Sequence, residues 1–165
     1  MDIRKATLLD AEAIGHILKE SYNISSVEEG AEAFRLELQK SHHFIVAVEE
    51  NVIVGLTSWT MHGLPKHGLF ELDRIAVLPD QKGRGVAKRL FNALIEDARN
   101  FFNKKQASIR KLYILTHDSN ARAQAFYEKM GLKKEIVIKD HYYKGVDEVL
   151  YSKFFKETST SGSSK

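Results

Sequence analysis

The chain reads as a mixed α/β domain, and three observations lead there. β-rich apolar runs alternate with amphipathic helical segments over most of its 165 residues. Gly and Pro punctuate the joins. The most strongly periodic segment, with apolar residues at Val86, Ala87, Leu90, Phe91, Leu94 and Ile95, sits mid-chain behind a β-rich run and a Gly-x-Gly turn.

Each element follows from local chemistry. Ile3 to Ala6 fits a short strand. Thr7-Leu8-Leu9-Asp10 has the form of a capping box, so a helix is expected to about Tyr22, with Ala11, Ile14, Ile17 and Leu18 at helical spacing. Ser26-Val27-Glu28-Glu29 is a second such box, and Val27, Ala31, Phe34 and Leu38 give the next helix one apolar face. Gly30 within it opposes helix formation by about 1 kcal/mol. Phe44–Val48 and Val52–Met61 form a hairpin about Glu49-Glu50-Asn51, and a Gly- and Pro-containing loop over 62–68 precedes a strand from Phe70 to Leu78. After the central helix, Leu112–Thr116 is apolar enough for burial on both faces. Asn120–Met130 is helical with Gly131 as its stop. Lys133–Lys139 and Glu148–Phe155 are the last strands, joined through Gly145. The domain therefore spans 1–155, and the polar, Ser-rich segment 156–165 is expected to be a disordered tail.

Composition narrows the function. A net charge of +3 suits an anionic ligand but is too small to argue for nucleic acid by itself. No cysteine is present, which removes disulfides, thiolate metal ligands and a Cys nucleophile, and favours a cytoplasmic location. The N-terminus has no signal-peptide core, and no run approaches membrane-spanning length. His42-His43 and the pair His62 and His67 lack metal-ligand spacing, so no metal is expected.

Glycines at 83 and 85 let the main chain turn tightly and approach a ligand closely. The helix behind them opens with unpaired N–H groups and a partial positive charge, a seat for phosphate. Lys82, Arg84, Lys88 and Arg89 surround it with cations. A dinucleotide fingerprint fails, because its third glycine falls on Lys88. A phosphate-binding P-loop fails for lack of Gly-Lys-Ser/Thr.

The segment from Val77-Leu78-Pro79 through Lys82-Gly83-Arg84-Gly85-Val86-Ala87 resembles the acetyl-CoA loop of the GNAT superfamily of N-acetyltransferases. Gly85 and Ala87 fill the last two places of the pattern Gln/Arg-x-x-Gly-x-Gly/Ala, and Lys82 stands where Gln or Arg is usual. The segment Asn120-x-x-Ala123-x-x-Phe126-Tyr127-x-Lys129-x-Gly131-Leu132 is similar to the family's second signature. The resemblance implies a twisted, mainly antiparallel mixed sheet flanked by helices, with a V-shaped split between the central strands holding acetyl-CoA. It implies that the N–H groups of 82–88 hold the diphosphate, in agreement with the anion seat. It implies that Ile75-Ala76-Val77 binds the pantetheine arm, that Asn120 contacts that arm, and that Tyr127 is the general acid for the departing thiolate.

Acetyl transfer to an amine also needs a base, since an amine with a pKa of about 10.4 is mostly protonated at neutral pH. Glu71 and Asp73, two apart on one strand, are the candidates for direct or water-mediated proton transfer, with pairing to Arg74 as the alternative role. The acceptor stays open. Tyr142-Tyr143-x-Gly145-x-Asp147 is similar to the hairpin of members that acetylate protein N-termini, while Glu71, Arg74, Ile75 and Val77 look like the polyamine-acetylating branch. Tyr142 and Tyr143 are then substrate residues or ordinary strand aromatics. Glu28, Glu29, Glu32, Asp140, Asp147 and Glu148 offer an acidic mouth for a cationic amine, or merely solvated charges. The expected partners are a small-molecule amine or a peptide, with no nucleic acid and no membrane, and a homodimer is an option. The rival reading is a non-catalytic acyl-CoA sensor of the same fold.

Overall fold

In the computed structural model, which describes residues 1–156, the Asp10 carboxylate accepts the Thr7 N–H at 2.7 Å and closes the first turn as the capping pattern predicts. Helix α1 (Ala11–Ser21) follows, after strand β1 (Asp2–Lys5). Ser26 Oγ accepts from Glu29 N at 3.0 Å and starts α2 (Val27–Gln39). The chain continues through β2 (His43–Glu49), β3 (Val52–His62), β4 (Leu69–Val77) and α3 (Val86–Lys104). Then come β5 (Lys111–His117), α4 (Ala121–Lys129), β6 (Lys133–Tyr143) and β7 (Val146–Phe154). The tail expected from Lys156 on falls, from Glu157 to Lys165, outside the described residues.

The seven strands form one mixed, mainly antiparallel sheet in the order β1-β2-β3-β4-β5-β7-β6. Two compact units make up the chain, Met1–Thr60 with Leu72–Ala98, and Met61–Glu71 with the chain from Arg99 on. Strand β4 contributes to both. Its parallel ladder with β5 covers only Leu69–Glu71 against Lys111–Tyr113, whereas β5 pairs with β7 as far as His117.

In the first unit, alternation along β2 serves two layers. Phe44 and Val46 join Ile14, Ile17, Leu18 and Phe34 of α1 and α2 in one apolar core. His43 faces the other way, stacked on Trp59 at 4.1 Å, and the Trp59 indole N–H donates to Asp97 of α3 at 3.0 Å. Burial holds His43 below the usual imidazole range.

Arg4 binds the Asp10 carboxylate through both Nη atoms, at 2.8 and 2.9 Å, and the Arg4 pair holds that carboxyl at about 2. A folded-state value below the unfolded one adds stability that is complete above about pH 4 and is lost as pH falls through about 2. Asp10→Asn should therefore lower stability at neutral pH by about 1–2 kcal/mol, the figure being reduced by solvent screening at the half-exposed Arg4. The gap between variant and native chain in urea melts should narrow as pH falls below about 4 and close by about pH 2; a gap that persists at pH 2 would remove the charge from the explanation.

In the second unit, α4 packs on β7, with the Tyr127 and Tyr151 rings 6.3 Å apart. Tyr151 Oη bonds Gln124 at 3.2 Å and Glu128 at 3.0 Å. Both final strands run further into their hairpin than expected, to Tyr143 and from Val146.

Candidate active site

The glycine turn lies in the first unit. Leu78 N–H binds Val54 O at 2.9 Å and ends β4, and Pro79–Gln81 makes one tight turn. Gly83 and Gly85 take φ of 81° and 78°, values that oppose any side chain, and a Cβ at either position would meet nothing within 4 Å. Lys82, Gly83, Arg84, Gly85 and Lys88 are exposed. The first bond of α3 runs from Arg89 N–H to Gly85 O at 3.1 Å, so the amides of Gly85, Val86, Ala87 and Lys88 form the first turn, which has no helical acceptors. An open cradle of amides at the positive end of a nineteen-residue helix fits a diphosphate.

Two of the expected cations are directed elsewhere. Arg84 bonds Gln81 and pairs with Glu49 at 2.9 Å, and Arg89 donates to Met1 O at 3.1 Å. The backbone of Ile75 is also engaged. Tyr22 Oη accepts its N–H at 3.0 Å and donates to its C=O at 3.2 Å. Burial pushes the Tyr22 phenol up to about 12, against the opposing pull of Arg74, whose guanidinium sits 5.0 Å over the ring. Burial pulls Arg74 down, but its bonds to Glu37 (Nη2 2.6 Å, Nε 3.2 Å) more than offset this and leave it raised.

Asp73 belongs to this polar group. It lies 3.4 Å from His42 Nδ1 and 3.9 Å from Arg74 Nε. Glu37, His42 and Asp73 bring one ligand atom each to within 4.8 Å of one another. The Arg74 guanidinium on Glu37 already supplies a cation to that set.

Glu71 stands in the second unit, in different company. Its Oε2 accepts from Tyr113 Oη at 3.0 Å and bonds His62 Nε2 at 2.7 Å. Its side chain is 17 % exposed and that of His62 42 %. Glu71 lines a pocket of about 540 Å³ with Tyr113, Lys111, His141 and Tyr142. Leu69, Leu115, Ile138 and Leu150 complete the lining. Lys111 is held at 2.7 Å by Glu135, whose carboxyl it keeps below the usual range with the help of Ser152. Tyr142 thus joins Glu71 at one pocket. Tyr143 instead has its ring 6.3 Å from that of His117.

Asn120 Oδ1 accepts from Ala123 N at 3.1 Å and caps α4, which fixes the helix carrying Tyr127. Tyr127 is 5 % exposed, with its ring 5.6 Å from that of Phe126. The acidic mouth divides into local roles. Glu29 accepts Ser25 N–H at 2.7 Å, and Glu32 pairs with Arg35 at 3.6 Å. Asp140 and Asp147 bond backbone N–H groups within the β6–β7 hairpin. Glu148, 2 % exposed, pairs with His117. Sequence reasoning missed these roles of Tyr22, His62 and Tyr113; Tyr22 and Tyr113 meet partners 53 and 42 positions away, and His62 meets Glu71 nine positions on, across the intervening loop.

Residues 11–132 match the model of the acetyltransferase (GNAT) family. The N-alpha-acetyltransferase of Saccharolobus solfataricus is 30 % identical over 120 residues, covering 67 % of this chain and 68 % of that one. The chain belongs to the GNAT family, and acetyl-CoA-dependent acetylation is that family's reaction class. Among solved structures, the ribosomal-protein-S18-alanine N-acetyltransferase of Escherichia coli has a TM-score of 0.77 at 17 % identity, covering 97 % of each chain. A Salmonella typhimurium protein solved with its cofactor acetyl-CoA has a TM-score of 0.72 at 15 % identity, covering 99 % of this chain and 98 % of that one. Among the described residues no helix is long and apolar enough to cross a membrane.

Proposed function

We propose that the chain is an N-acetyltransferase that moves the acetyl group of acetyl-CoA to a primary amine by direct attack with both substrates bound. The observation that carries this reading is the open glycine turn at the head of α3. Residues 82–88 hold the diphosphate, with Lys82 and Lys88 adding charge. Ala76 and Val77 take the pantetheine arm, since Tyr22 already engages Ile75. Asn120, whose Oδ1 caps α4, contributes its Nδ2 as a donor.

Bound acetyl-CoA supplies a thioester carbonyl for the amine to attack and a sulfur that leaves. Glu71 takes the proton from the amine nitrogen, directly or through water, and His62 and Tyr113 hold its carboxylate in place. Tyr127 gives its phenolic proton to the departing sulfur. Asp73 is assigned no part in proton transfer, because it does not line the pocket that Glu71 lines. The acceptor is a small amine or a chain N-terminus, the latter supported by the relative named as an N-alpha-acetyltransferase.

Glu71→Gln tests the base. Because water reaches this position, kcat/KM should fall only about 10- to 100-fold, while acetyl-CoA binding measured by calorimetry stays within about twofold. An unchanged kcat/KM would pass the base role to water. No heat from the native chain at micromolar acetyl-CoA would overturn the whole reading.

A further inference from the structure

We infer that the acceptor is a primary amine with a single positive charge, carried on an apolar or aromatic body. The inference rests on the acetyl-transfer reading and narrows its substrate class. The pocket at Glu71 has four aliphatic walls (Leu69, Leu115, Ile138 and Leu150) and three ring side chains, Tyr113, Tyr142 and the imidazole of His141. Its volume of about 540 Å³ is that of a small-molecule site. A single carboxylate lines it, so it seats one ammonium beside Glu71 and meets the rest of the acceptor mainly with aliphatic and aromatic side chains.

Two features oppose a polyamine. A second or third ammonium needs further anions at intervals along the pocket, none of the acids of the expected mouth lines it, and five of those six hold local partners: Glu29 at Ser25, Glu32 at Arg35, Asp140 and Asp147 within the hairpin, Glu148 at His117. The remaining long charged side chain in the lining is Lys111, which repels a second cation and is fixed in place by Glu135 at 2.7 Å. Each methylene-sized group of a well-fitted apolar body is worth about tenfold or more in selectivity. The same chemistry is offered by a free aralkyl amine or by a chain N-terminus whose first side chain is large and apolar.

The experiment uses the full chain with saturating acetyl-CoA and follows thiol release. Acceptors are phenethylamine, ethylamine and spermidine, with Phe-Ala-Ala and Ser-Ala-Ala amides as the chain-terminus arm. Calorimetry with the same acceptors and no acetyl-CoA gives binding independently of turnover. Phenethylamine or the Phe peptide should exceed its small counterpart at least tenfold in kcat/KM, and spermidine should trail both; the better arm identifies the source. Leu115→Glu should reverse the order in binding and in turnover. Ile138→Glu, on the edge strand, serves if that variant does not fold. Thiol release fastest with spermidine, or an order unmoved by a folded pocket variant, sinks this inference and leaves acetyl transfer standing. Apolar amines that bind without any thiol release support the substrate class and overturn acetyl transfer. Neither binding nor release overturns both.

Discussion

Tyr127→Phe should lower kcat by about 10²- to 10⁴-fold and leave acetyl-CoA binding within about twofold of the native chain. The substitution removes one hydroxyl and keeps the ring. Packing against Tyr151 and Phe126 is therefore retained, and α4 remains capped by Asn120. A site that is 5 % exposed also keeps water from substituting freely for the missing donor, in contrast to Glu71. This difference makes the expected loss larger here than for Glu71→Gln. The measurement is thiol release at saturating acetyl-CoA and acceptor, with calorimetry for the cofactor. A kcat within a few-fold of native would mean that the departing sulfur takes its proton elsewhere. A native chain that binds acetyl-CoA and releases no thiol with any amine would favour the sensor reading.

The parts of this site that were legible in the sequence are those built from neighbours in the chain. The glycine turn is one continuous segment, and its open amides come from two glycines and the helix start behind them. The cap at Asn120 is similarly local. Glu71 and Asp73 share strand parity, so sequence offered both as bases. Their separation is non-local: the β4–β5 ladder sets Tyr113 opposite Glu71, while His42 and Arg74 surround Asp73. The Tyr22 hydroxyl on Ile75 spans fifty-three positions and left no trace in either segment.

Most of the fold was legible for the same reason, since capping boxes and hairpin turns are short-range devices. Strand β6 shows the failure. Its register shifts between Ile138 and Tyr143, and Asp140 takes φ of 49° within the shift. An irregularity of this kind breaks the period-two pattern on which strand recognition depends, so the run looked finished at Lys139. The same irregular segment carries Tyr142 at the pocket, which connects the misread element to the acceptor question.

Gly30 looked like a weakness in α2, and its use becomes visible only against α1. A Cβ at Gly15 would lie 2.4 Å from Val27 O and 2.9 Å from Ala31 N; one at Gly30 would lie 2.8 Å from Gly15 O. The two helices meet backbone to backbone, and neither contact can be relieved by rotating a side chain. Gly15→Ala therefore sets two effects against each other. Helix propensity favours alanine by about 1 kcal/mol. Pushing the helices apart loosens the core around Ile14, Ile17, Leu18 and Phe34, and such overpacking costs about 1–3 kcal/mol or more. With a backbone contact this short the cost should lie at the upper end and the second effect should win, for a net loss of about 2 kcal/mol read as a lower urea midpoint at unchanged slope. Gly145→Ala is the control: its Cβ meets nothing within 4 Å, and only the φ of 78° opposes it, at about 1–2 kcal/mol. A Gly15→Ala chain more stable than native would mean that propensity governs this position and that α1 and α2 do not approach so closely.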